Sequence, residues 1–99
     1  MKIARLTDGQ IKVGLQKLSA WVLRDGKLHR EYKFGDFAEA FGFMARCALV
    51  AQKQDHHPEW FNVFNRVVVD LTTHDAGGIS DLDLALATEM EEAARRSPA

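Results

Sequence analysis

Residues 60–74 read Trp60-Phe61-Asn62-Val63-Phe64-Asn65-Arg66-Val67-Val68-Val69-Asp70-Leu71-Thr72-Thr73-His74. The stretch reads as two strands, Trp60–Phe64 and Val67–Thr73. They are joined through Asn65-Arg66, because asparagine enters the left-handed region more easily than most residues. Strand alternation puts Val67, Val69, Leu71 and Thr73 on one face, and Val68, Asp70, Thr72 and His74 on the other. A hairpin turning there sets Pro58–Trp60 roughly opposite Leu71–Thr73. That register brings His57 and His74 to the same end of the sheet.

Immediately upstream, Pro58 ends any helix and holds His57 extended. Before it, Phe34, Phe37, Phe41, Met44, Ala48 and Ala51 form an apolar stripe. The stripe predicts the longest helix, Asp36 to Lys53, about 27 Å long at 1.5 Å per residue. Asp36 and Glu39 stand near its start, where the helix dipole favours negative charge. Phe43, Leu49 and Val50 widen the apolar surface, so a second helix face is expected to bury against another subunit. Earlier still, Trp21–Arg24 and Leu28–Phe34 predict a hairpin about Asp25-Gly26, whose residues both tolerate positive φ. Thr7 and Gln10 have the spacing of a capping box for a first helix. Its stripe is Ile11, Leu15 and Leu18, and its end is expected near Ser19. Downstream, Ala76-Gly77-Gly78 breaks the chain and Ser80 caps a last helix with the stripe Leu82, Leu86, Met90 and Ala93. Glu91–Arg95 and Glu92–Arg96 are spaced to pair on its exposed side. The order α-β-β-α-β-β-α predicts an α+β fold in one domain over residues 1–99, a four-stranded antiparallel sheet with three helices packed on one face.

A chain of 99 residues has room for one modest core, and association is a natural way to add buried area. Acids and bases are mixed along it for a formal net charge of −1, with no basic block to track a nucleic-acid backbone. Neither a signal-peptide core nor a membrane-length apolar run is present. Cys47 is the single cysteine, which excludes an internal disulfide and a cysteine-based zinc cage. A reducing cytoplasm is the expected compartment.

His56, His57 and His74 sit at element boundaries around the last two strands. Imidazole titrates near neutrality and can both give and take protons at physiological pH. Adjacent histidines are also common on plain polar surfaces, so the pattern by itself is compatible with either reading. Asp55, His56, His57 and His74 include metal-ligand types, but consecutive extended residues rarely chelate one ion, and no metal is expected. Asp83 falls in the first turn of the last helix, where a carboxylate suits the dipole regardless of function. Trp60 and Phe64 alternate on one strand face, a pattern of core packing or of a surface for a flat ligand. His29 reads as surface, and Cys47 as a small buried apolar residue.

Asp55-His56-His57-Pro58 followed by Trp60-Phe61-Asn62-Val63-Phe64-Asn65, with His74 and Asp83 at their spacing, resembles the pterin-4a-carbinolamine dehydratase family. Trp21, Phe34, Phe37 and the run Ala40–Arg46 extend the resemblance over nearly the whole chain. It implies a cofactor-free hydro-lyase acting on 4a-hydroxytetrahydropterin in tetrahydrobiopterin recycling for aromatic amino acid hydroxylases. By the same resemblance His56, His57 and His74 are catalytic, and Pro58, Trp60, Thr73 and Asp75 bind substrate. Four residues before His56 the family commonly carries an ionisable residue, and this chain has Gln52. A supporting carboxylate would then come from Asp55 or Asp83. A homodimer or homotetramer is expected. The alternatives are a coactivator-like module docking a transcription factor through the Phe34–Lys53 helix, or a pterin binder with weak catalysis.

Overall fold

At the centre of the sheet, β2 (Lys27–Lys33) runs antiparallel to β4 (Arg66–Leu71), with Leu28 opposite Leu71 and Lys33 opposite Arg66. β1 (Val22–Arg24) flanks β2 and β3 (Glu59–Val63) flanks β4, giving the order β1-β2-β4-β3. The computed structural model describes residues 3–96; residues 1–2 and 97–99 of the expected 1–99 domain lie outside the described residues. Helices α1 (Asp8–Gly14), α2 (Phe37–Gln54) and α3 (Asp81–Arg95) cover one face, in the α-β-β-α-β-β-α order expected for an α+β fold.

The first hairpin turns as read: Asp25 and Gly26 both have positive φ, and Arg24 pairs with Lys27 across a two-residue loop. The second is shifted by one. Val63 pairs with Arg66, so the loop is Phe64-Asn65, and Phe64 takes the left-handed backbone at φ 51°. Asn65 instead clamps the neighbouring strand end. Its amide donates to the Phe34 carbonyl at 2.9 Å, and its own carbonyl accepts from the Phe34 N–H at 2.8 Å. The pairing therefore sets Glu59 opposite Asp70 and Trp60 opposite Val69, nearer the turn than the expected partners at 71–73.

Leu28, Tyr32, Val67, Val69 and Leu71 point from the sheet into the core. The inward stripe of α2 is Ala40, Phe43, Cys47 and Ala51, while the expected Phe37, Phe41 and Ala48 face outward. Phe43 decides the rotation. Its ring lies 4.7 Å from Tyr32 and 5.0 Å from Phe34, centroid to centroid, and small Ala40 and Ala51 let the helix approach the sheet. Burying that ring is worth about 1.5–3 kcal/mol, and turning the helix to hide Phe37 would forfeit it. Cys47 is buried as read, and burial pushes its thiol pKa up to about 12.

The first helix is shorter than expected. It tightens into a 3-10 turn over Leu15–Lys17 just after Gly14, whose missing side chain makes room for Leu84 of α3. His29 is also not a surface residue. It is 8% exposed on the helix-free face, its Nδ1 2.9 Å from Asp70 Oδ1 directly across the β2–β4 ladder.

Glu92 pairs with Arg96 at 3.8 Å as expected, and with Arg95 at 3.1 Å. Glu91 does not pair with Arg95. It turns inward, and one oxygen accepts from Trp21 Nε1 (2.8 Å), Arg30 Nε (2.9 Å) and Tyr32 Oη (2.8 Å). Burial opposes its ionisation, but the Arg30 and Tyr32 donors outweigh that and hold its pKa below the usual glutamate value. A depressed folded-state pKa contributes stability above the unfolded value, near 4.3, and that stability is lost as pH falls through the folded value. Glu91→Gln is thus expected to cost about 1–2 kcal/mol at pH 7. In urea titrations the gap from the native chain should close as pH drops below about 4.

Candidate active site

α2 ends in a sharp reversal. Asp55 adopts the left-handed conformation (φ 53°, ψ 42°), and the His56 N–H donates back to the Ala51 carbonyl at 3.1 Å. Aspartate is one of the few residues that enter that region at low cost. The reversal followed by Pro58 leaves His56 buried and His57 exposed, so the two adjacent rings diverge.

His56 meets Asp83. Its Nε2 lies 2.5 Å from Asp83 Oδ1, a contact buried between the end of α2 and the start of α3. Asp83 is fully buried. Its second oxygen accepts from Thr73 Oγ1 at 2.8 Å and from the Ser80 N–H at 2.9 Å. Thr73 has one hydroxyl proton and spends it on Asp83, so Ser80 must be the donor in the 2.7 Å contact between the two hydroxyls. Ser80 Oγ in turn accepts from the Leu82 N–H at 3.2 Å, capping α3. Every neighbour of the Asp83 carboxylate therefore donates to it. An Nε2–H bonded there leaves the neutral His56 ring with its lone pair on Nδ1.

His57 is held more lightly. Gln52, one helical turn back, presents Oε1 3.2 Å from His57 Nε2. An amide oxygen accepts, so His57 also carries its proton on Nε2 when neutral, with Nδ1 as acceptor. His74 opens a 3-10 turn, His74–Ala76, instead of ending the strand. Thr73 and Gly78 exchange two backbone hydrogen bonds, of 2.9 and 3.2 Å, and close that turn into a loop. Gly77 reverses the chain at φ 74°, where a side chain would be strained. The loop lifts the His74 imidazole into solvent, 87% exposed, with Nε2 3.6 Å from Glu59 Oε2.

All three histidines line one cleft of about 390 Å³, with Asp55, Thr73 and Asp75. That volume lies within the usual range for small-ligand sites, about 300–1,000 Å³. Asp83 backs the cleft through His56, while Gln52 backs it through His57. Asp55 stands on the wall and is not the carboxylate that meets His56. Pro58 is not part of the lining. Trp60 turns toward the helices and packs against the core, since it shares its face with Val69. Ile3, Thr72 and Leu82 complete walls that residue type alone did not suggest. For Ser80 and Asp83 a signal was present, the three-residue spacing of a capping box, but it spoke only of the helix start. No helix among the described residues is long and apolar enough to cross a membrane.

Residues 4–93 match the family described as pterin 4 alpha carbinolamine dehydratase. A protein of Solibacter usitatus (strain Ellin6076) carrying that dehydratase's name is 55% identical over 87 residues, covering 88% of this chain and 92% of its own. One of Rhizobium johnstonii, with the same name, is 51% identical over 98 residues and 97% of each chain. Among solved structures, the crystal structure of a transcriptional coactivator/pterin dehydratase from Brucella melitensis aligns with a TM-score of 0.87 at 48% identity. That alignment covers 91% of this chain and 98% of the other. A match over most of the sequence, relatives half identical along nearly their full length, and the same fold together make this chain a member of the pterin-4α-carbinolamine dehydratase family and an enzyme of that type.

Proposed function

We propose that the chain removes water from 4a-hydroxytetrahydropterin by general acid–base catalysis from His56, His57 and His74. The observation that carries this reading is three imidazoles on one cleft, one of them backed by a buried carboxylate. In the reaction the carbon 4a hydroxyl takes a proton, the carbon–oxygen bond breaks, and the N5 lone pair forms the new double bond. N5 then gives up its own proton, so one proton enters, one leaves, and the products are water and quinonoid dihydropterin. One acid and one base suffice, and neutral-pH imidazoles can serve as either. His57 and His74, the exposed rings, exchange these protons. His56, fixed by Asp83, presents its remaining nitrogen as a stationary hydrogen-bond partner to the bound ring. Thr73 and Asp75 contribute polar wall, and the product returns to tetrahydropterin recycling that serves aromatic hydroxylases.

The test is the decay of freshly generated 4a-hydroxytetrahydropterin, followed by absorbance with and without the protein. Acceleration in proportion to enzyme concentration supports the reading. A folded protein that leaves the buffer rate unchanged overturns it.

The outward side of α2 supports a homo-oligomer. Phe37, Phe41 and Leu49 are 51%, 56% and 75% exposed on a helix whose other side is already packed, and a second copy of the chain would cover them. The Brucella protein's coactivator designation supports a second reading, in which a partner protein docks on that face. Sedimentation separates them: a dimer or tetramer favours self-association, and a stable monomer favours the partner.

A further inference from the structure

Each imidazole of the cleft has an acceptor behind it, and each contact is made through Nε2. His56 meets Asp83, His57 meets Gln52, and His74 meets Glu59. The first two acceptors stand behind the cleft walls, whereas Glu59 reaches its imidazole from the other face of the sheet.

Glu59 opens β3 directly after Pro58. Strand alternation turns Trp60 toward the helices, so Glu59 stands on the helix-free face, opposite Asp70 of β4. Two donors converge on its carboxylate. Lys27 Nζ, from β2, lies 2.5 Å from Oε1, and His74 Nε2 lies 3.6 Å from Oε2. The Glu59 hydrogen bond raises the pKa of the Lys27 ammonium above its ordinary value, and the charges of Asp70 and Asp25 add to it. Lys27 therefore stays a donor through the neutral range and fixes one oxygen of a side chain that would otherwise turn freely. At 3.6 Å the other oxygen makes a charge contact with His74 and not yet a hydrogen bond. Long contacts of this kind are common in substrate-free sites and tighten when substrate arrives.

His74 needs such a partner more than His56, which burial already holds. Its ring is 87% exposed on a loop, where solvent fixes neither its rotation nor the nitrogen that carries the proton. An acceptor at Nε2 fixes both.

Resting on the dehydratase reading, we propose that Glu59, anchored by Lys27, is the positioning residue for His74, holding its proton on Nε2 and turning Nδ1 to the cleft. Glu59 is not part of the cleft lining, so it acts on substrate only through the ring. A carboxylate suits this place because it serves two donors with two oxygens. An amide has one oxygen, which the ammonium takes, and its NH2 then turns toward His74.

The experiment measures kcat and KM for dehydration in Glu59→Ala, Glu59→Gln, Lys27→Met and the Glu59→Gln/Lys27→Met double variant. Both Glu59 variants should lose about tenfold in kcat at unchanged KM, with the native urea midpoint, because an exposed ion pair adds little stability. Lys27→Met alone should cost no more than about threefold. In the double variant the amide oxygen is free for His74, so kcat should recover to within about threefold of native. Imidazole nitrogen NMR of the substrate-free protein at about pH 8.5, above the ordinary imidazole titration, reads the orientation without turnover. His74 should carry its proton on Nε2 in the native chain and divide it between both nitrogens in Glu59→Ala. A native kcat in Glu59→Ala, a loss that falls on KM, or a Glu59→Gln loss that Lys27→Met leaves unrelieved overturns the positioning role. So does a His74 proton already divided in the native chain. A native protein that leaves the buffer rate unchanged overturns the dehydratase reading, and the NMR result still decides whether Glu59 orients the ring.

Discussion

Replacing His57 or His74 with alanine is expected to slow dehydration by about 10²–10⁴-fold, the range for loss of a group that transfers a proton in the transition state. Neither substitution should disturb the fold. His74 stands almost wholly in solvent, and the hydrogen bond found for His57 runs to a side chain on an exposed helix end. Surface changes of this kind usually move stability by no more than about 0.5 kcal/mol. The measurement is kcat and kcat/KM beside a urea midpoint for each variant. A loss under about tenfold at both positions, with midpoints unchanged, would remove the two rings from the proton-transfer steps. Because acid and base act in one reaction, the double variant should fall well short of the product of the single losses.

Asp83→Ala has the largest expected effect on stability, a loss of about 3–5 kcal/mol. It strands three donors in a buried place: His56 Nε2–H, the Thr73 hydroxyl and the Ser80 N–H. A domain of this size has roughly 5–15 kcal/mol to lose, so the alanine variant should unfold at much lower urea. Asp83→Asn separates folding from catalysis. Asparagine keeps one acceptor but turns an NH2 toward a group that also donates, either the Thr73 and Ser80 pair or His56. It should fold with reduced stability and lose about 10–100-fold in rate, as when an orienting partner is removed. A native rate in the asparagine variant would show that His56 needs no carboxylate to hold its orientation.

The elements of the fold could be read along the chain because their rules are local. Alternation over Val67–Leu71 marks a strand from a few residues, Asp25-Gly26 marks a two-residue turn, and Ser80 marks a helix start. The Asn65-Arg66 turn that the sequence predicts lies one residue late, for a reason outside the hairpin. Asn65 is occupied by Phe34 of another strand, and the left-handed backbone falls to Phe64 instead. On α2, too, the apolar stripe predicts a face that the packing overrides. Phe37, Phe41 and Phe43 are all phenylalanines on one helix, and only contact with Tyr32 and Phe34 decides that Phe43 goes inside.

Of the site, the three histidines were legible as residue types near one end of the sheet, and the family resemblance named them. Their company was not. Asp55 neighbours His56 in sequence, yet Asp83, 27 residues away, is the carboxylate in contact with it. His29 finds Asp70 across 41 residues, and Glu91 finds Trp21 across 70. By itself, then, the sequence determined the order of elements, the turns that hold their own residues, and the titratable groups available. Tertiary structure alone decided which helix face turned inward and which carboxylate met which imidazole. Backbone periodicity and turn chemistry act over a few residues, whereas a buried hydrogen bond depends on the register and rotation of whole elements, which one residue's shift can change.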